Sequence, residues 1–235
     1  MPKDQKIDDN KIGNLKIALL TIFTILATVA IVFLPAGRIT YWQGWVFCGI
    51  IILITVVQLA LFLDQTDLVK ERMKPGLGVK WWDKIFFALF KPISLAIIVV
   101  AALDAGRFGW STELPTIVYL ISYPVFLLSI FILTWGMKTN RFFSSMVRIQ
   151  TDRGHTVITD GPYRFVRHPG YTGGILMLIS IPLILGSLWG LIPAGATTAL
   201  LLIRTVFEDK TLKNELSGYA EYAKVVRYRL FPGIW

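Results

Sequence analysis

Six apolar runs, each close to the length needed to cross a bilayer, constrain this chain more than any other feature. They span Leu15 to Leu34, Tyr41 to Leu63, Ile85 to Leu103, Thr116 to Trp135, Gly173 to Leu185 and Leu188 to Ile203. A hydrocarbon core about 30 Å thick is crossed by about 20 helical residues. Inside lipid every backbone polar group must be satisfied within the segment, and unbroken apolar runs of this kind do so as helices. The expected fold class is therefore all-α: a polytopic membrane protein with about six transmembrane helices. The last two runs meet at Gly186-Ser187 and read as a C-terminal helical hairpin. Its first arm is short, but a helix starting near Pro169 lengthens it. Lys91-Pro92 interrupts the third run, where the lysine can snorkel and the proline can kink the helix.

Charge then orients the segments. A chain that is 54% hydrophobic and only 17% charged is too apolar for a soluble domain. Its net charge of +9 records topology and contact with anionic headgroups, not nucleic acid, because no basic run accompanies a soluble nucleic-acid-binding signature. With the N-terminus inside, the outside loops carry only Arg38 and Arg107, whereas six basic residues lie from Arg204 onward alone. Both termini are thus expected on the cytoplasmic face, in a membrane of the prokaryotic inner-membrane type. Three regions follow: residues 1–14 as a polar tail, 15–135 as four N-terminal spans, and 136–235 as a polar loop, a hairpin and an amphipathic C-terminal segment. No internal repeat is visible. The lone Cys48 excludes an internal disulfide, and two histidines without a His-Glu-x-x-His spacing make a poor zinc set.

The segment Gly161-Pro-Tyr-Arg-Phe-Val-Arg-His-Pro-Gly-Tyr171 lies between the fourth run and the hairpin. Its Gly-Pro and His-Pro steps break helix, so it begins as a turn and can become helical only near Pro169, where the missing N–H costs nothing. The chain's two histidines, His155 and His168, fall in or just before it.

Gln150, His155-Thr-Val-Ile158, Gly161-Pro-Tyr163, Arg167-His-Pro-Gly-Tyr171 and, beyond the hairpin, Arg204 with Glu208 together resemble the isoprenylcysteine carboxyl methyltransferase family of integral membrane enzymes. The resemblance covers roughly residues 140–232 and implies S-adenosylmethionine as cofactor, with S-adenosylhomocysteine as product. It implies a cytoplasmic cofactor pocket lined by Gln150, His155, Thr156, Val157, Ile158, Tyr163, His168, Pro169, Gly170, Tyr171 and Glu208. Arg204 is the implied substrate ligand, and Arg204, Glu208 and Arg167 are the candidate catalytic residues. No metal is implied.

The residue types suit that chemistry. S-adenosylmethionine carries a sulfonium, an ammonium, a carboxylate and a flat adenine, so its pocket needs aromatic faces, a carboxylate and open backbone groups. Methyl transfer to a carboxylate needs positioning more than a strong base. A guanidinium can hold both carboxylate oxygens in one plane, which favours a carboxylate acceptor on a lipophilic substrate beside Arg204. Other readings remain open. A phospholipid amine N-methyltransferase would leave Arg204 without a carboxylate to bind, a sterol-type reductase would use reduced nicotinamide, and a non-enzymatic membrane protein would carry the motifs as relics. Residue by residue, Arg204 and Glu208 could be an i,i+4 ion pair, Arg167 a lipid-phosphate ligand, and Tyr219, Tyr222 and Tyr228 interfacial anchors.

Overall fold

The structure is a computed structural model and describes residues 21–62 and 78–235. The expected polar tail, the start of the first run, and most of the connector from Asp64, including Lys70 to Lys74 and Pro75-Gly76, lie outside those residues. The described residues are helical, with no strand. We name the helices α1 (Thr21–Ala36), α2 (Trp42–Phe62), α3 (Trp81–Ala101), α4 (Thr116–Thr139), α5 (Pro169–Ile184), α6 (Leu191–Glu215) and α7 (Tyr219–Val225). Among the described residues, four helices are long and apolar enough to cross a membrane: α2, α3 with its extension, α4 and α6. The helices α1 and α5 are shorter apolar ones. The chain is therefore a helical integral membrane protein by architecture.

Helix α3 starts at Trp81, four residues before the expected run, and continues beyond Ala101 as a π-helix over Ala102–Phe108. The third apolar run ends at Leu103 in the sequence, but the extension carries the helix past it and buries Asp104 completely. The Asp104 carboxylate accepts bonds from the Ser111 amide, the Ser111 hydroxyl and the Ser187 hydroxyl. Those three donors satisfy a charge that burial alone would make costly, and they tie the end of α3 to the hairpin bend. Gly186 makes that bend with φ +78°, a conformation glycine adopts without strain. Lys91 is exposed, with its ammonium 5.8 Å from the Phe87 ring centroid.

Helices α4 and α5 pack at close range. A side-chain carbon at Gly173 would sit 2.7 Å from the Ser129 carbonyl oxygen, so only glycine allows this approach. Small residues serve this role where helices meet in lipid, since backbone proximity replaces the hydrophobic drive that water would supply. One apolar core, with Phe47, Cys48, Phe126 and Leu185, joins α1, α2, α4 and the end of α5. A second, with Phe86, Ile175, Ala194 and Leu201, joins α3, α5 and α6. The two together bring the start of α3, the end of α4, the start of α5 and the end of α6 to one end of the bundle. Lys80 and Glu215, 2.7 Å apart, close that end.

Candidate active site

Helix α5 begins at Pro169, with His168 in the N-cap position. The His168 carbonyl accepts the amides of Tyr171 and Thr172, so the His-Pro step becomes the first turn of the helix. The segment after α7 clasps this turn. Arg167 and His168 donate their amides to the carbonyls of Tyr228 and Arg229, and the Thr172 hydroxyl donates to the Leu230 carbonyl at 2.7 Å.

Below the turn lies Asp209, a residue the motif series does not include. Its buried carboxylate meets the Arg167 Nε at 2.7 Å and Nη2 at 3.2 Å, Lys213 Nζ at 3.0 Å and Arg229 Nε at 3.2 Å. Tyr219 donates its hydroxyl to the same carboxylate at 3.2 Å, and His168 Nε2 is 3.5 Å away. Arg167 uses its remaining Nη1 on the carbonyls of Val226 and Arg227, both at 2.7 Å. Its guanidinium is thus occupied by α6 and the C-terminal segment. Its place next to Glu208 and one turn before Lys213, on the charged half of the helix, was the available sequence signal for Asp209.

Glu208 points the other way, toward a cavity of about 340 Å³. Tyr171 donates its hydroxyl to Glu208 Oε2, and His168 Nδ1 lies 4.0 Å from Oε1. No lysine or arginine among the described residues forms an ion pair with Glu208. The His168 and Tyr171 rings stack with centroids 5.6 Å apart. Every residue named from the sequence for this site lines the cavity except Pro169, which sets the helix start.

The loop before the motif forms the opposite wall. Gln150 is buried; its amide nitrogen donates to the Phe142 carbonyl at 2.7 Å and its carbonyl accepts from Arg153. His155 packs against Phe142 with the rings tilted and centroids 4.5 Å apart, and accepts the Gln150 amide on Nδ1 at 3.3 Å. Burial, with the nearby Arg148 and Arg153 charges and against the opposing pull of Glu208, lowers the His155 pKa to about 4, so the ring is neutral at physiological pH. Tyr163 accepts from Asn140 at 3.2 Å, and its carbonyl accepts the Tyr222 hydroxyl at 2.7 Å. Burial, followed by the charges of Asp209 and Glu208, pushes the Tyr219 phenol well above its usual range. Tyr219 and Tyr222 are buried, contrary to their reading as interfacial anchors, because α7 packs them against Leu216 and Val157.

Arg204 is also buried, and its partner is not Glu208. Its Nε lies 2.8 Å from Asp83 Oδ1, and its Nη2 lies 3.1 Å from Asp83 Oδ2 and 2.8 Å from the Ser145 carbonyl. Three rings surround the guanidinium: Phe86 and Phe87 with centroids at 4.7 Å and Tyr171 at 5.5 Å. Beyond it, Phe87, Phe90, Met177, Leu178 and Leu201 give the cavity an apolar end. Asp83 lies before the apolar run that begins at Ile85, so the run gives no sign of it.

The cavity therefore has a polar half around Glu208, His155 and Tyr163 and an apolar half among membrane helices. Aromatic faces, one carboxylate without a lysine or arginine partner, and amide donors and acceptors make a donor set that fits S-adenosylmethionine, whose net charge is positive. Residues 117–217 match the family model of phospholipid methyltransferases, membrane enzymes related to the family suggested by the motifs. No curated protein matches the chain. The matched region runs from α4 through the motif loop and the hairpin to the end of α6, and it makes this chain similar to membrane methyltransferases that normally use S-adenosylmethionine.

Proposed function

We propose that the chain is an S-adenosylmethionine-dependent methyltransferase of a lipid-borne acceptor. The observation carrying this reading is that the His168-Pro169 turn and Glu208 face one cavity whose other end is apolar. S-adenosylmethionine, when bound, supplies a methyl group activated for displacement. Gln150, His155 to Ile158, Tyr163, His168, Gly170, Tyr171 and Glu208 would hold it. The Glu208 carboxylate balances its positive charge, and the Phe142 and Tyr171 rings offer flat apolar faces. Arg167 and Pro169 act by positioning the turn. Phe87, Phe90 and Leu201 accept the acceptor's hydrocarbon tail and exclude water from the reacting end. The excess of basic residues in the connectors supports a cytoplasmic position for this end of the bundle.

The acceptor group has two readings, each with its own support. A lipid amine is favoured by the Asp83–Arg204 pair, which supplies Arg204 with an internal carboxylate, and by the similarity to phospholipid methyltransferases. A carboxylate, as in the isoprenylcysteine carboxyl methyltransferases, is favoured by Arg204 Nη1, which has no hydrogen-bond partner among the described residues.

Calorimetric titration of detergent-purified protein with S-adenosylhomocysteine tests the cofactor reading. Binding is expected for the wild type and is expected to be largely lost in Glu208→Ala; saturable binding of reduced nicotinamide in its place would reject methyl transfer. Radiolabelled methyl incorporation into membrane lipids, followed by mild base, separates the acceptors, because methyl esters release methanol and N-methyl groups do not.

A further inference from the structure

Arg204 reaches the cavity with most of its guanidinium already engaged. Its Nη2 donates to Asp83 Oδ2 and to the Ser145 carbonyl, its Nε is buried 2.8 Å from Asp83 Oδ1 as an ion pair without hydrogen-bond alignment, and its Nη1 has no hydrogen-bond partner among the described residues. Asp83 is completely buried, and its Oδ2 also accepts the Val147 amide at 2.7 Å, which pins the carboxylate in place. Lys80 extends the same clamp by donating its amide to the Val147 carbonyl at 3.1 Å. A guanidinium without such a partner would be a strong receptor for an anion, binding it through two parallel N–H groups. With Asp83 in place, the pair carries no net charge and offers the cavity a single directed donor. Glu208, one turn further along α6, adds a negative charge to the same space.

We infer that Asp83 is the positioning residue that sets the charge selectivity of the acceptor end. It converts Arg204 from an anion receptor into a one-donor anchor, so that this end rejects a free anionic headgroup and takes an uncharged or zwitterionic one. The inference rests on the reading that the apolar half of the cavity holds a lipid acceptor. The Asp83–Arg204 contact could also serve only to join α3 to α6, and charge selectivity is the property that separates the two roles.

The test is displacement of uncharged N-dodecyl dansylamide from the purified full chain by dodecanoate and by dodecanol. The wild type is expected to bind dodecanoate no more tightly than dodecanol. Asp83→Asn is expected to tighten dodecanoate by about tenfold or more, because the guanidinium charge is then uncompensated, with dodecanol and S-adenosylhomocysteine affinities within about twofold. Asp83→Glu restores the wild-type ratio. Should Asp83→Asn fail to fold, the double variant Asp83→Asn/Arg204→Gln decides: it removes both charges together, so the ratio is expected to stay within about threefold of the wild type. A wild type preferring dodecanoate by about tenfold, an unchanged ratio in a folded Asp83→Asn, or a tenfold fall in the dodecanoate ratio of the double variant overturns the proposal. Failure of both compounds to displace the probe overturns it together with the lipid reading. Absence of S-adenosylhomocysteine binding in the wild type rejects the methyltransferase reading and leaves the dodecanoate ratio to judge Asp83.

Discussion

Arg167 and Asp209 meet through two contacts, 2.7 Å and 3.2 Å long, and both side chains are buried. This pair joins the turn before α5 to the end of α6, and so ties two walls of the cavity together. Removing one partner of a buried pair leaves an uncompensated charge, which typically costs about 3–5 kcal/mol. Asp209→Asn is therefore expected to lower the apparent unfolding temperature in detergent sharply and to abolish S-adenosylhomocysteine binding. A stable, ligand-binding Asp209→Asn protein would show that the pair is dispensable.

Tyr171→Phe probes the hydrogen bond to Glu208 with little change in packing. A hydrogen bond to a charged group contributes about 1.5–3 kcal/mol, so the variant should weaken S-adenosylhomocysteine binding by about tenfold or more if that bond orients Glu208 toward the ligand. Thermal stability should change little by comparison. Isothermal titration reads the affinity, and an unchanged dissociation constant refutes the orienting role.

His155 gives a pH dependence with a definite sign. Its pKa falls from 6.5 to about 4, so between those values the unfolded chain takes up a proton that the folded chain refuses. Stability is accordingly full above about pH 6.5, declines as pH falls toward about 4, and levels off below. The ring is partly open to solvent, so the amplitude is well short of that for a fully buried group. His155→Asn keeps an acceptor near the Gln150 amide and should flatten this window. Denaturation midpoints measured at intervals across it provide the check.

Some of this architecture was legible in the sequence because its causes are local. A proline lacking its N–H can open a helix but not continue one, so the start of α5 at Pro169 follows from residue order alone. The Gly186-Ser187 bend and the end of α6 before Gly218 are legible for similar reasons. The partners of buried charges are not. Arg204 and Glu208 stand one turn apart on α6, yet Arg204 turns to Asp83 and Glu208 to Tyr171, because α3 and α5 approach α6 from different sides. In the sequence Asp83 lies outside the third apolar run and Tyr219 reads as an interfacial anchor. Only the folding back of α3 and α7 onto the motif loop shows otherwise.

The α4–α5 contact makes Gly173 sensitive to a single methyl group. Its side-chain position is 2.7 Å from the Ser129 carbonyl and 3.1 Å from the Leu133 amide, both backbone atoms that cannot rotate aside. Gly173→Ala must push the helices apart, and overpacking of this kind costs about 1–3 kcal/mol. Gly174→Ala, whose nearest contact is a Leu201 methyl at 3.2 Å, should be tolerated better. Thermal unfolding of the two variants side by side should therefore rank them, and equal behaviour would mean that α4 shifts without penalty.

The C-terminal segment holds the His168-Pro169 turn by its backbone. The Tyr228 and Arg229 carbonyls take the Arg167 and His168 amides, the Leu230 carbonyl takes the Thr172 hydroxyl, and Arg229 stacks on Trp235 at 4.9 Å while contacting Asp209. Deleting residues 228–235 leaves those buried donors without acceptors, each at a cost of about 1–3 kcal/mol. The membrane helices do not depend on these bonds, so the truncated chain should still insert and purify as a helical protein by circular dichroism. Its S-adenosylhomocysteine binding should be lost. Thr172→Val removes one of the contacts and should weaken binding to a smaller degree, giving a graded series from intact to absent. Full-strength binding by the truncated chain would mean that the His168-Pro169 turn holds its shape without the clasp.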